Sequence, residues 1–158
     1  MISPRRTILQ LYAATLAGVG LWLGAIVAAP YLRSRGSGIA PFLYACFSPI
    51  CHQRPERSFF AFGYPLAVCA RCSGIYLGAL VGILAYPFVR GFDALRLPKA
   101  RTLAVFSALI ICDTAANVLG LWNTGPLLRL ATGLIWGSLL PFYFMTGVGE
   151  LLASAKRK

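Results

Sequence analysis

Three long stretches of this chain carry no charge, at 7–32, 72–89 and 130–149. A fourth, 102–122, is interrupted only by Asp113. Within each, apolar residues run without the alternation of a half-buried strand, and polar residues collect between the runs. A helix rising about 1.5 Å per residue needs about 20 mainly apolar residues to cross a hydrocarbon core of about 30 Å. The pattern therefore predicts an all-α, polytopic four-helix bundle with spans near 8–29, 67–88, 102–122 and 127–150, in a single integral-membrane domain covering 1–158. The first run exceeds the roughly 7–15 apolar residues of a signal peptide and is read as a retained span. A shorter apolar stretch, 41–50, cannot span and is expected as a short interfacial helix. Glycines recur every fourth residue (Gly20 and Gly24; Gly74, Gly78 and Gly82; Gly133 and Gly137), the spacing that lets helix backbones approach closely in lipid. The 91–99 stretch reads as a short polar loop, with Pro98 ending any helix there.

Composition agrees. Of 158 residues 58% are hydrophobic and 12% charged, against roughly 25% charged in a soluble domain, and the mean hydropathy is +0.72. Disorder and an ordinary soluble domain are excluded. The net charge of +11 would suggest nucleic acid in a soluble protein. Here the basic residues flank apolar runs, so the lipid bilayer is the expected partner and nucleic acid is not. Arg5, Arg6, Arg90, Arg96, Lys99, Arg101, Lys156, Arg157 and Lys158 fall on one side. Arg33, Arg35, Arg54, Arg57 and Arg129 fall on the other. The excess places both termini in the cytoplasm of a cell (plasma or inner) membrane, with the 30–66 loop outside.

The loop and second span read Cys46-x4-Cys51-His52-x16-Cys69-x2-Cys72. Cys69 and Cys72 share one helix face. Thiolates and imidazole are the usual zinc ligands. The expected metal set is Cys51, His52, Cys69 and Cys72, with Cys46 as an alternative ligand, since adjacent residues rarely face one ion together. On its own, a membrane cysteine such as Cys46 or Cys112 is a small apolar residue. The rival to metal is a redox CxxC with Cys46–Cys51 as partner pair.

Polar groups inside a bilayer are costly and mark function. Span three carries Asp113 and, one turn on, Asn117; span four carries Arg129 and Thr132; span two carries Arg71. Connectivity alone puts all of them at the same end of the bundle as His52, whichever way the protein sits. Gln53, Arg54, Arg57, Arg71 and Arg129 are the expected anion clamp, with Asn117 and Thr132 completing a substrate site. The alternatives are a structural Asp113–Arg71 or Asp113–Arg129 ion pair and arginines that snorkel to lipid phosphates.

Taken together, Cys51–Phe60 (CHQRPERSFF) and Cys69–Gly82 (CARCSGIYLGALVG) resemble the bacterial and archaeal predicted-membrane-protein family known as domain of unknown function 2085. The resemblance spans about residues 40–140. It carries onto Cys51, His52, Gln53, Arg57, Ser58, Cys69, Arg71, Cys72, Gly74 and Tyr76, and later onto Asp113 and Arg129-x2-Thr132-Gly133. Thr114 stands where the pattern leads one to expect glycine, and Cys46 is outside it. The resemblance implies an architecture and a site but no reaction.

The expected function is a metal-dependent membrane enzyme on a lipid-like (isoprenoid-like) or anionic substrate. Cys51, Cys69 and Cys72 hold zinc, His52 is fourth ligand or general base, and Asp113 is a second acid–base group. The alternatives are a thiol–disulfide oxidoreductase using Cys69 and Cys72, and a non-catalytic small subunit of a larger membrane complex.

Overall fold

A computed structural model describes residues 4–90 and 99–155. The polar loop expected at 91–99 lies, apart from Lys99, outside the described residues, as do Arg96 and the basic residues at 156–158.

Helix α1 (Pro4–Ser34) ends where Gly36 takes a positive φ of 69°. There the Ser37 N–H reaches back to Leu32 O at 3.0 Å and the Gly36 N–H to Arg33 O at 3.0 Å, which satisfies carbonyls the last turn leaves open. Helix α2 (Ile39–Phe47) has 9 residues, about 14 Å of helix and too short to span. Its Ala40 and Phe47 are buried while Ile39 and Phe42 are exposed, as expected of the short interfacial helix. A single 3-10 turn (Pro55–Arg57) and a hairpin of β1 (Phe60–Ala61) and β2 (Tyr64–Pro65) follow. The hairpin turns on Phe62 and Gly63, both at positive φ, the geometry that matches strand twist in a two-residue loop.

Helices α3 (Ala70–Val89), α4 (Ala100–Val118) and α5 (Pro126–Ala155) complete the bundle. Together with α1, they make four helices among the described residues that are long and apolar enough to cross a membrane. The third span is shorter than expected at its end: α4 stops at Val118, and Gly120 at φ 68° turns the chain so that the Leu121 N–H caps Ala116 O at 2.9 Å.

The tight pair is α3 with α5. A Cβ at Gly78 would lie 2.2 Å from Leu134 O, and one at Gly137 would lie 2.1 Å from Ile75 O. Only glycine permits backbones this close. The α1 glycines differ: nothing lies within 4 Å of a Cβ at Gly20 or Gly24, so the close approach their spacing suggests is not made within the described residues. One core cluster gathers Ile26, Ala29, Phe47, Cys51, Ala67, Val68 and Cys69 at one end of the bundle. A smaller one, Ile8, Tyr86 and Met145, sits towards the other. Helix α4 has no buried residue, and the outward apolar side chains of the spans are what a bilayer requires of its solute.

Candidate functional site

The cysteines are brought together by short-range anchoring. The Cys51 N–H bonds back to Phe47 O at 3.0 Å as α2 ends. Gln53, at φ 49°, then turns its side-chain amide inward, donating to Tyr44 O at 2.7 Å and to Ala67 O at 2.8 Å. Gln53 thus clamps α2 to the segment before α3. Tyr44 Oη donates to Pro65 O at 2.5 Å and ties the hairpin into the same corner. Cys69 caps the start of α3 in an extended conformation, and its N–H donates to Cys51 Sγ at 3.1 Å.

The result is a triangle of Cys51, Cys69 and Cys72 sulfurs, all within 4.8 Å of one another. Cys51 and Cys69 are buried and Cys72 is half-buried. Tetrahedral zinc with sulfur at about 2.3 Å sets its ligands about 3.8 Å apart, so this triangle needs little contraction to hold an ion. Hydrogen bonds from the Cys51 thiol and then the Cys72 thiol hold the Cys69 thiol far below the usual thiol range. The bond to Cys69 pushes Cys51 upward, because the donor keeps its proton. The position at the head of α3 adds the favourable end of the helix dipole.

The other expected ligands stand apart. His52 is exposed, and its Nδ1 accepts from the Arg54 N–H at 3.1 Å, which leaves its proton on Nε2 when the ring is neutral. Cys46 and Cys112 are exposed free thiols outside the triangle.

Beside the triangle runs a polar network. Arg71, between the two cysteines of α3, forms an ion pair with Asp113 of α4. Its second nitrogen donates to Thr114 Oγ1 at 2.6 Å. Thr114, which stands where the resemblance leads one to expect glycine, thus supplies an acceptor to the same guanidinium. Asp113 Oδ1 accepts from Thr124 Oγ1 at 2.7 Å and from Asn117 Nδ2 at 3.2 Å. Asn117 Oδ1 accepts from the Thr124 N–H at 3.0 Å and from Arg129 at 2.8 Å. Of the two structural pairings weighed for Asp113, the one formed is with Arg71.

Arg129, at 6% exposure, is buried. It lines a cavity of about 480 Å³ with Glu56, Arg57, Asn117, Trp122 and Asn123. Thr132 is not part of this wall: its hydroxyl donates to Leu128 O and Arg129 O of its own helix. Glu56, Asn123 and Thr124 were missed from the sequence. They lie in connecting segments, where polar residues are ordinary, whereas attention falls on polar residues inside apolar runs. The only available signal was that the 119–125 connection joins two spans bearing Asp113 and Arg129.

Fold and site together define a class: a four-span membrane protein whose one end gathers three cysteines and an arginine–carboxylate–amide network. The chain belongs to the predicted membrane protein family of domain of unknown function 2085, whose model matches residues 51–143. That match begins at Cys51 and includes the whole triangle and network. An uncharacterised protein of Methanocaldococcus jannaschii is 38% identical over 147 residues, covering 89% of this chain and 94% of its own. An uncharacterised protein of Methanothermobacter thermautotrophicus is 37% identical over 94 residues, covering 56% of this chain and 78% of its own. No solved structure matches.

Proposed function

We propose that Cys51, Cys69 and Cys72 hold one zinc ion and that the protein is a metal-dependent membrane enzyme acting on an anionic, lipid-like substrate. The observation that carries this reading is the sulfur triangle, built from two segments 18 residues apart. Soft ligands in a tetrahedral arrangement favour zinc. Three protein ligands leave a fourth position, the pattern of catalytic rather than structural sites. When bound, the ion would supply Lewis acidity. His52, adjacent to Cys51, is the proposed general base, acting once its ring turns inward and Nδ1, released from the Arg54 N–H, offers its lone pair. Asp113 is engaged by Arg71, Thr124 and Asn117, which supports a positioning role more than proton transfer. The charge pattern supports cytoplasmic termini and a site at the outer face of the cell membrane.

A second reading, a Cys69–Cys72 thiol–disulfide centre, is favoured by the acidic Cys69 thiol at a helix start. Elemental analysis separates the two. Purified protein is expected to carry about one zinc per chain, lost in Cys51→Ser and Cys72→Ser. Protein that is free of metal as isolated, with a pair of thiols alkylated only after reduction, would replace the metal reading with the redox one.

A further inference from the structure

The arginines at this end are not equivalent. Arg71 is neutralised by Asp113. Arg129 is not: its hydrogen-bond partners among the described residues are the amide oxygens of Asn117 at 2.8 Å and Asn123 at 3.3 Å. Its Nε is buried and, like that of Arg71, has no partner among the described residues; what separates the two is that Arg129 has no carboxylate paired with it there. A guanidinium held away from water by neutral amides is costly unless something negative completes it. The cavity it lines is also lined by Arg57, carried by the 3-10 turn, and by Gly125 and Pro126. Those two residues mark the start of α5, a helix of 30 residues, so its positive end faces the same space. One carboxylate, the exposed Glu56, stands on the opposite side of the balance.

We infer that this cavity is a phosphate-binding site, in which Arg129 and Arg57 grip a phosphate oxyanion while Asn117 and Asn123 hold Arg129 in place. Arg71, Gln53 and Thr132 are not part of it: the charge of Arg71 is paired with Asp113, the Gln53 amide donates to Tyr44 O and Ala67 O, and the Thr132 hydroxyl donates to its own helix. The phosphate belongs to a lipid headgroup or to a soluble phosphate, and the chemistry of recognition is common to both. The inference rests on the enzyme reading only for what the bound group is used for, and the site itself does not require the metal.

The test uses the full chain in phosphatidylcholine nanodiscs, with and without phosphatidic acid, and separately with inorganic phosphate, read by phosphorus NMR and by thermal shift. Wild-type protein is expected to bind at least one probe. Saturation by inorganic phosphate alone assigns a soluble source, and binding of phosphatidic acid assigns a headgroup. Arg57→Gln, on the half-buried turn, should weaken binding about tenfold or more, as expected for a charge-assisted contact. Glu56→Gln should tighten it, because a repelling charge is removed. Arg129→Gln should abolish binding; where it fails to fold, Arg57→Gln and Glu56→Gln decide. No binding of either probe by the wild type, or unchanged affinity in Arg57→Gln, overturns the site. Anion binding that persists in zinc-free Cys72→Ser leaves the site standing. A wild type that binds phosphate yet never carries zinc defeats the metal reading alone.

Discussion

Arg71 serves two contacts with different parts of itself. Its carbonyl oxygen lies 2.3 Å from where a Cβ on Gly133 would be, so its backbone is part of the close approach of α3 to α5. Its side chain reaches the other way, to Asp113 and Thr114. The pair is mostly buried, with side-chain exposures of 15% and 14%. Removing one partner of such a pair strands a charge and costs more than the pair contributes. Arg71→Met is therefore expected to lower stability by about 3 kcal/mol, read from thermal unfolding in detergent. Adding Asp113→Asn should recover part of that loss, because the stranded carboxylate is gone while Thr124 and Asn117 keep an acceptor. A double variant no more stable than Arg71→Met would show that the ion pair is not the source of the loss.

At the scale of the helices, the bundle is unevenly held. Helices α3 and α5 meet through glycines, so dispersion between backbones and side chains acts at the shortest range lipid-embedded helices reach. Helix α4 buries no residue. It is attached by discrete polar contacts: Arg71 to Asp113 and Thr114, Trp136 Nε1 to Ser107 Oγ at 2.9 Å, and Tyr143 Oη to Lys99 O at 2.8 Å. Gly137→Ala forces a methyl into Ile75 O and should destabilise by about 2 kcal/mol through overpacking. Gly24→Ala, where nothing lies within 4 Å, should be neutral or slightly stabilising, since alanine is the better helix former. Equal melting temperatures for the two variants would mean that the glycine seam is not what holds the pair. Both glycine series follow the same fourfold spacing, and the spacing cannot say which helix will find a partner.

Among the described residues, the sulfur triangle and the hydrogen-bonded polar network lie at one end of the molecule. The ends of α1 and α4, the starts of α3 and α5, and the loop carrying Cys51 all meet there, while the opposite end is tied by Ile8, Tyr86 and Met145. On the proposed orientation that end faces outward. Cys46, exposed on α2, reports it: a membrane-impermeant maleimide should label intact cells through Cys46 and lose that label in Cys46→Ser. A cysteine placed at Arg5 should be labelled only after lysis. The reverse result would put the sulfur triangle on the cytoplasmic side, where a reducing milieu favours metal over disulfide.

Four spans and a common end for the costly residues follow from one dimension of information. The hydrocarbon core demands a minimum apolar length, and alternating connectivity sends every second helix end to the same face. The CxxC at a helix start is local too, since Cys69 and Cys72 lie one turn apart on any helix. Which groups touch is not local. Gln53 turns its amide to Tyr44 O and Ala67 O, Arg71 takes Asp113 and so leaves Arg129 to neutral amides, and His52 stays exposed, outside the sulfur triangle. These choices depend on side-chain directions set by positive-φ turns at Gln53 and Gly120 and by how closely α3 and α5 pack. Pattern and spacing say that polar groups must satisfy one another in lipid. Only the folded arrangement determines which charge is neutralised and which is left to hold something else.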